Sequence, residues 1–349
     1  MTFSHVHIIG SGLIGSSIGL GLVQKGIEIS MADIDPAAQA LAQDLMKTSP
    51  SSDPDIVIIA TPLGSIRQAL ERVDTSTVKL GVMDIASVKA KVKVEVTQSG
   101  LSPAKFLPTH PMAGREVGGA QSARADLFAG RPWIIDSKGV DENLRTAGLE
   151  LIELLGASPV ELDSAEHDEA VALVSHLPQI VASLLAGQLQ GANPKWLELS
   201  GTGLRDTIRI ASSSPELWKE IIAANRSSIE PLLRSFIADA EKILEKLGDE
   251  EFLSEVIENG RKGRALIPGK HGGKQRSYTY LPIVIEDKPG QLAALFDECA
   301  IADVNVEDLA IEHSPGQFTG LITLALSEFD AAKLADHLRV KGWSVHTQR

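Results

Sequence analysis

The sequence predicts three folded parts in a row: an α/β domain with a parallel sheet, an all-helical domain, and a small βαββαβ domain. Short β-branched runs alternate with helical patterns over residues 1–165, which is typical of a parallel sheet. Apolar residues then recur at three- and four-residue spacing over 166–262, and strand and helix patterns alternate again over 277–349. A chain of 349 residues is also too long for one ordinary core.

The composition excludes several classes of partner. The net charge of −13 argues against nucleic acid and anionic membrane surfaces, because binding phosphate groups requires clustered Lys and Arg. We expect no apolar run long enough to cross a bilayer, and no signal peptide, since the first residues lack a basic region. The single cysteine, Cys299, rules out an internal disulfide and a multi-cysteine metal site and fits a reducing cytoplasm, and no metal site is predicted.

The individual elements follow from the same patterns. Strands are predicted at 5–10, 27–32, 55–60, 79–84 and 106–109, and two more, at 133–136 and 158–162, are expected to continue the same sheet. Helices of the second part are predicted at 164–177, 178–190, 215–246 and 250–260. Residues 263–276 belong to a glycine-rich stretch with basic and no acidic residues, which predicts a flexible linker and, as the alternative, an anion site.

A glycine-rich loop follows the first predicted strand. Gly10, Gly12 and Gly15, with Leu13 and Ile14 between them, form a G-x-G-x-x-G loop that opens a helix of small residues. In this context the motif is typical of a Rossmann-type domain that binds a dinucleotide: the glycines permit a tight turn, a close approach of the pyrophosphate, and close packing of helix on strand.

Two further strand ends complete the predicted cofactor site. Asp33 ends the second strand, where a carboxylate accepts the ribose hydroxyls and repels a 2′-phosphate, and no arginine occurs at 34–37, so NAD is favoured over NADP. Asp35, before Pro36, is expected to cap the next helix. Thr61, after the third strand, is expected to flank the nicotinamide side.

Three segments are expected to face a substrate there: 84–89, 109–116 and 200–209. A dehydrogenase that oxidises an alcohol needs an acceptor for the hydroxyl, and His110, on a strand-end loop, is the best placed histidine. His176 is open between a buried helix-end histidine and a substrate contact. His5 and His7 are expected to be structural, and the other histidines, His167 among them, are expected to face solvent.

These segments resemble one enzyme family. The sequence has G-x-G-L-I-G at 10–15, D-x-x-S-V-K at 84–89, H-P-M-A-G at 110–114, S-H-L-P at 175–178 and R-D-T-I-R at 205–209, in that order. Together they resemble the prephenate/arogenate dehydrogenases over roughly residues 5–260. The last segment, with E-D-K-P-G-Q-L at 286–292 and V-N-V at 304–306, resembles a ferredoxin-like ACT domain.

The resemblance implies an activity and roles for particular residues. It implies NAD-dependent oxidative decarboxylation of prephenate to 4-hydroxyphenylpyruvate, or of arogenate to tyrosine. The architecture, an all-helical domain after a dinucleotide fold, predicts a homodimer through the helical domain, with a tetramer through pairing of ACT domains as the alternative. His110 would accept a hydrogen bond from the ring hydroxyl, and Ser87 would hydrogen-bond that hydroxyl or position His110 and the nicotinamide. The implied substrate contacts are Arg209, His176, Arg205 and Glu116. The ACT domain would bind an amino-acid effector such as tyrosine at Asp287, Gly290 and Asn305.

Two positions depart from the family pattern, and two other functions compete. Gly118 stands where the family often has serine, and Gln179 where it often has a second histidine, so the choice between prephenate and arogenate stays open. A dehydrogenase of the 3-hydroxyacid or 6-phosphogluconate type would need a catalytic lysine motif near 175–178, which the sequence lacks. A non-catalytic sensor of NAD and an amino acid would have no need of His110, Ser87 and Arg209 together.

Overall fold

The computed structural model describes residues 1–47, 52–115, 117–267, 278–312 and 318–346. The chain divides into two compact units, residues 1–246 and 247–349. The first unit contains both the α/β part and most of the helical part, so the residues of the predicted active site all belong to it. Of the predicted linker, residues 268–276 lie outside the described residues.

Strands and helices alternate at the start of the first unit. Its strands are β1 (His5–Ile9), β2 (Glu28–Ala32), β3 (Ile56–Ile59), β4 (Gly81–Asp84), β5 (Phe106–Leu107), β6 (Thr109–Pro111), β7 (Pro132–Ile135) and β8 (Ser158–Glu161). Its helices are α1 (Leu13–Val23), α2 (Pro36–Met46), α3 (Ile66–Glu71), α4 (Lys89–Ser99), α5 (Glu142–Leu154), α6 (Ser164–Val171), α7 (Leu177–Gly187), α8 (Pro194–Leu197), α9 (Thr202–Ile208), α10 (Pro215–Ala224) and α11 (Arg226–Glu245).

Five strands form the predicted parallel sheet, in the order β2-β1-β3-β4-β5. Successive side chains of a strand point to opposite faces, so Ile56 and Ile58 of β3 pack into one apolar core and Val57 and Ile59 into another. The strand order reverses between β1 and β3. Ligands of such sheets bind in the crevice outside the carboxyl ends of the strands at that point.

The expectation that 133–136 and 158–162 continue this sheet was wrong. β6, β7 and β8 form a separate three-stranded sheet, in which β6 is antiparallel to β7 and β7 is parallel to β8. The predicted strand at 106–109 is divided at Pro108, which has no N–H to continue the ladder of the first sheet. The chain beyond Pro108 therefore leaves the parallel sheet, and His110 lies opposite Ile134 of β7.

A turn of π-helix joins α6 to α7. It spans Ala172–His176, just before Pro178. Proline lacks the N–H of a regular helical hydrogen bond, and its ring crowds the carbonyl four residues earlier, so a wider turn relieves both effects. The wider turn changes which side chains face inward, and His176 is buried there.

The helical stretch Ser164–Gly187 is long and apolar enough, by length and composition alone, to cross a membrane. The expectation of no such run was therefore wrong. Its buried polar residues include His167, Asp168 and His176, which form hydrogen bonds with residues of the α/β part and of α11's start. Those contacts tie its inward face to the rest of the first unit, whereas only 28% of its most apolar 18-residue window is buried.

The second unit begins with a helix and continues as a small α/β structure. Its elements are α12 (Glu250–Ala265), β9 (Thr279–Glu286), α13 (Gln291–Ile301), β10 (Asp308–Glu312), β11 (Thr319–Leu326), α14 (Glu328–Val340) and β12 (Ser344–Val345). The strands form an antiparallel sheet in the order β10-β11-β9-β12. Leu295 of α13 and Leu334 of α14 pack on Ile283 and Ile322 of that sheet. The predicted βαββαβ order of elements is present.

Candidate active site

The glycine loop lies at the carboxyl end of β1, where it turns into α1. Gly10 has a φ of +111°, and a Cβ on it would overlap the carbonyl of Ala60. A Cβ on Gly15 would overlap the carbonyl of Gly10, so both positions require glycine. Gly12, at the start of α1, has open space beside its Cα. The loop therefore leaves room for a ligand at a helix start whose first N–H groups have no intrahelical acceptors.

Asp33 is tied to this loop. Its carboxylate accepts hydrogen bonds from the Ser11 amide at 2.6 Å, the Ser11 hydroxyl at 2.7 Å and the Asp35 amide at 2.9 Å. Burial favours the neutral acid, but these hydrogen bonds outweigh it and hold the pKa of Asp33 below its usual value. Asp35 caps α2 as predicted, accepting from the Ala37 amide. An anionic carboxylate thus stands beside the glycine loop.

The end of β3 adds an unpaired polar group. The Thr61 hydroxyl is buried and has no hydrogen-bond partner in the part of the chain that the structure describes. A buried hydroxyl without a partner is costly, so a ligand that bonds to it would recover that cost. Thr61 lies close to Gly10, because the neighbouring Ala60 carbonyl faces that glycine.

A buried ion pair connects the end of β4 to the strand that carries His110. The Lys89 ammonium pairs with the Asp84 carboxylate and donates to the Thr109 carbonyl at 2.6 Å. Asp84 also accepts from the Thr109 amide at 3.1 Å. Lys89 and Asp84 are 1% and 0% exposed, so neither charge has water to replace its partner. The network fixes the backbone on the N-terminal side of His110.

His110 itself is half-buried and bonded to a histidine of the helical part. Its Nδ1 lies 2.9 Å from Nε2 of His167, whose Nδ1 lies 2.8 Å from the Asp168 carboxylate. Burial above all, and then repulsion from Lys89 and from the protonated forms of His167 and His176, lower the pKa of His110 well below its usual value. His110 is therefore an uncharged imidazole at neutral pH.

His167 and Asp168 were missed by the sequence reasoning, which expected His167 to face solvent. His167 is 1% exposed. The signal in the sequence was an ionisable pair, His167 and Asp168, that comes shortly before an apolar, uncharged stretch at 170–187. If such a pair is buried together with the stretch, it needs hydrogen-bond partners from elsewhere in the fold. Asp168 has three: its carboxylate also accepts from the Lys89 and Ala90 amides at 2.8 Å each.

His176 proves to be a buried helix residue with a defined set of contacts. Asn225, between α10 and α11, donates through Nδ2 to the Asp168 carbonyl at 2.7 Å and to His176 Nδ1 at 3.1 Å. The His176 ring meets Trp218 edge-on at 5.9 Å. Burial lowers the pKa of His176 to about 4, although Asp168 opposes the shift. The predicted helix 215–246 is broken at Asn225, which frees this amide to bond to both neighbours.

The remaining predicted substrate residues are found in different settings. Ser87 is half-buried on the loop between β4 and α4, where its hydroxyl has no partner among the described residues. Arg205 and Arg209 are exposed, on α9 and on the 3-10 turn that follows it. The buried Gln179 donates at 3.1 Å to the carbonyl of Ile210, next to Arg209. Glu116 lies outside the described residues.

The predicted effector residues belong to the second unit. Asp287 follows β9, and its amide donates to the Phe318 carbonyl at 2.9 Å. Gly290 precedes α13 with a φ of +88°, a conformation that favours glycine. Asn305 precedes β10, and its side-chain amide donates to the Glu307 carboxylate at 3.1 Å. All three lie on connections between strand and helix.

Comparison with known proteins identifies relatives of this chain. The model of the prephenate dehydrogenase nucleotide-binding domain matches residues 18–158, and that of the prephenate dehydrogenase dimerization domain matches 163–258. A probable prephenate dehydrogenase of Streptomyces niveus is 30% identical, over 97% of this chain and 99% of that protein.

Solved structures show the same fold. A prephenate dehydrogenase of A. aeolicus, in complex with hydroxyphenyl propionate and NAD⁺, is 24% identical with a TM-score of 0.67, covering 76% of this chain and 99% of that one. A Synechocystis arogenate dehydrogenase is 23% identical with a TM-score of 0.62, covering 74% and 98%. The matched domains, the full-length relative and the arrangement of the site agree: this chain belongs to the prephenate dehydrogenase family.

Proposed function

We propose that the protein catalyses the NAD-dependent oxidative decarboxylation of prephenate to 4-hydroxyphenylpyruvate. The observation that carries this proposal is a neutral, half-buried histidine, His110, joined through Thr109 and Asp84 to the edge of the sheet where the glycine loop lies. Oxidation of an alcohol needs a hydrogen-bond acceptor at the hydroxyl and a hydride acceptor beside it. The family relatives are described as prephenate dehydrogenases.

The loops at the carboxyl ends of β1, β2 and β3 have residues that suit the binding of NAD. The amides of Gly12, Leu13 and Ile14 begin α1, which suits the pyrophosphate. Asp33 offers an anionic carboxylate for the adenosine ribose, and no cation at 34–37 would accept a 2′-phosphate. The unpaired Thr61 hydroxyl suits the nicotinamide side. When bound, NAD supplies the hydride acceptor.

The chain's own residues would orient the substrate and hold its hydroxyl. His110 accepts a hydrogen bond from the hydroxyl on the ring carbon that loses hydride, and Ser87 supports that contact. The bond from the ring to the carboxylate carbon breaks, its electron pair enters the ring, and CO₂ leaves. The phenol keeps its proton, so no net proton transfer is needed. Arg209 pairs with a substrate carboxylate, for which arginine offers a planar pair of donors, and Arg205 and His176 line the pocket. By resemblance to the family, Glu116 would gate or orient the pocket.

Arogenate is the second candidate substrate. It differs from prephenate by an ammonium group in place of the keto group, and the Synechocystis relative in fold is an arogenate dehydrogenase. Gly118 and Gln179 stand where the family often has polar or ionisable side chains, and the Gln179 amide is already bonded to Ile210. A direct comparison of the two substrates therefore decides the preference.

We further propose that the chain acts as a cytoplasmic homodimer. The matched domain of 163–258 is described as a dimerization domain. Exposed apolar side chains on its helices support pairing: Leu173, Val174, Leu184, Trp196, Phe236 and Leu244. The reducing cytoplasm suits a chain with one cysteine, which is buried.

Residues 277–349, which follow α12 in the second unit, are proposed as an ACT domain that binds an amino-acid effector such as tyrosine. Its βαββαβ order and antiparallel sheet support the assignment. Asp287, Gly290 and Asn305 would form the effector site, on the connections before α13 and before β10.

One assay tests these proposals together. NADH formation is followed with prephenate and with arogenate, each with NAD and with NADP, in the presence and absence of tyrosine. Faster turnover of prephenate with NAD is expected, and tyrosine is expected to change it. No turnover of either substrate, with NAD binding intact, would contradict the enzymatic proposal and favour a sensor of NAD and an amino acid.

A further inference from the structure

His110, His167 and Asp168 form a continuous chain of hydrogen bonds that is anchored at the start of a helix. The contacts are 2.9 Å between the two rings and 2.8 Å between His167 and the carboxylate. Asp168 is held in turn by the amides of Lys89 and Ala90, the first residues of α4. Val88, the N-cap of α4, provides no side-chain cap. Asp168 therefore takes the place of a cap and is fixed by two amides.

The identity of the last acceptor sets the direction of every hydrogen bond in the chain. An ionised carboxylate only accepts, so Nδ1 of His167 must carry a proton. A neutral His167 then has its lone pair on Nε2, which must accept from Nδ1 of His110. The neutral His110 ring has one proton, and it lies on Nδ1. Its Nε2 is left with a lone pair.

We propose that His167 and Asp168 are positioning residues that hold His110 in its Nδ1–H tautomer, so that Nε2 is always the acceptor for the substrate hydroxyl. The part that concerns the substrate rests on the proposed function, whereas the tautomer is a property of the protein alone. With the other tautomer, the proton on Nε2 would meet the hydroxyl and the ring could not accept its hydrogen bond.

The charged surroundings support a neutral ring and an ionised anchor. Facing His110 are His167 and His176 from the helical stretch Ser164–Gly187 and Lys89 from α4, and Asp84 pairs with that lysine. Burial raises the pKa of Asp168, but His167 and the two amides of α4 outweigh it and hold this pKa below the usual value. The carboxylate is therefore ionised, and an acceptor, at neutral pH, where His110 is uncharged.

The tautomer can be read directly by nuclear magnetic resonance on protein labelled with ¹⁵N in histidine. Long-range ¹H–¹⁵N correlations distinguish a protonated from an unprotonated ring nitrogen, and the His110→Asn spectrum identifies the His110 signals. The expected result is a protonated Nδ1 and an unprotonated Nε2 in the wild type. A His110 ring with its proton on Nε2 overturns the proposal, whatever the substrate of the enzyme proves to be.

Kinetics of three variants test the functional part. His167→Leu removes the acceptor for Nδ1 and is expected to lower kcat about 10- to 100-fold, with KM changed less than about threefold. His167→Gln restores an amide oxygen that accepts from Nδ1, and its kcat is expected to lie between those of the wild type and His167→Leu. The control is His337→Leu, which removes a similar histidine–carboxylate contact, 2.6 Å from Glu298, in the second unit and is expected to leave kcat unchanged.

The tautomer measurement and the variant kinetics distinguish a failure of the inferred positioning role from a failure of the proposed function. Wild-type kcat in His167→Leu, or equal loss in His167→Gln and His167→Leu, contradicts the positioning role. If His167→Leu does not fold, the wild-type tautomer and the His167→Gln kinetics still decide. Absence of turnover in the wild type together with an Nδ1–H tautomer would refute the proposed function and leave the inferred tautomer standing.

Discussion

At the scale of single residues, the histidines are distinguished by what their ring nitrogens contact. His5 and His7 both bond to the Ser30 hydroxyl at 2.8 Å within the sheet, which agrees with their predicted structural role. His110 and His176 are instead held by partners from distant parts of the first unit. Residue type and local sequence could single out His110 as a candidate, but not its partner His167.

Replacement of His110 by asparagine tests its role at the substrate hydroxyl. His110→Asn removes the imidazole acceptor but not the binding cations, so kcat is expected to fall by about 10²- to 10⁴-fold with a modest change in KM. Steady-state kinetics with prephenate and NAD provide the measurement. The control is His5→Gln, which replaces a histidine at the start of β1, at the end opposite to the glycine loop. A kcat near that of the wild type would rule out His110 as the acceptor.

The activity should persist into acidic solution. The active form has neutral His110, and its pKa lies well below 6.5 because burial and neighbouring cations disfavour the imidazolium. The expected profile of kcat against pH is therefore flat through 6.5 and falls only at lower pH. An inflection in kcat at or above pH 6.5 would show that His110 does not have this environment.

The folding stability should fall as the pH is lowered from 6.5 towards 4. The pKa of His176 is about 4 in the folded protein and near 6.5 when unfolded, so the unfolded chain binds the proton first. Its stabilising contribution is thus present above pH 6.5 and is lost as the pH falls towards 4. Melting temperatures of wild type and His176→Gln, measured across this window, should converge as the pH falls. Parallel curves would contradict the assigned pKa.

At the scale of elements, two substitutions in the glycine loop distinguish its role in helix–strand packing from its role in ligand binding. Gly15→Ala forces a Cβ into the Gly10 carbonyl and is expected to destabilise the fold by about 1–3 kcal/mol. Gly12→Ala places a Cβ in open space, so the melting temperature should be unchanged while NAD binds at least about tenfold more weakly. Calorimetry and NAD titration measure both effects. Unchanged NAD affinity in Gly12→Ala would place the pyrophosphate elsewhere.

The buried ion pair between β4 and α4 should matter far more than an exposed one. Lys89→Met leaves the Asp84 carboxylate buried without its cation, which costs about 3–5 kcal/mol. The control Lys242→Met breaks a pair with Asp239 at 3.1 Å whose side chains are 62% and 66% exposed, and is expected to cost about 0–1 kcal/mol. Urea unfolding of both variants gives the comparison. Similar losses would mean that the Lys89–Asp84 pair has no special role in the fold.

At the scale of the whole molecule, the exposed apolar helices of the first unit predict association. Leu184 is 58% exposed on α7, where an aspartate would place a charge in the proposed dimer contact. Light scattering is expected to give twice the mass of one chain for the wild type and for Val94→Asp, on the exposed face of α4, and a single-chain mass for Leu184→Asp. A wild-type protein with the mass of one chain would contradict the homodimer.

Local signals were enough to predict most of the elements of this protein and its nucleotide-binding domain. Alternating and helical periodicities predicted the parallel sheet, the helical part and the βαββαβ order, and the glycine loop with Asp33 predicted nucleotide binding, because each depends on residues close together in the chain. The separate sheet of β6–β8, the π turn before Pro178 and the break at Asn225 depend on which backbone groups find partners after folding.

Only the tertiary structure determined how the histidines are connected. His110 and His167 are separated by 56 intervening residues, and Asp168 bonds to the start of a helix 78 residues earlier. Such contacts have no periodicity along the chain, and an imidazole's tautomer depends on the partner of its other nitrogen. The sequence by itself determined a nucleotide-binding domain and singled out one histidine as a candidate acceptor, whereas the packing of α6 against α4 decided the partners of that histidine and so which of its nitrogens can accept a hydrogen bond.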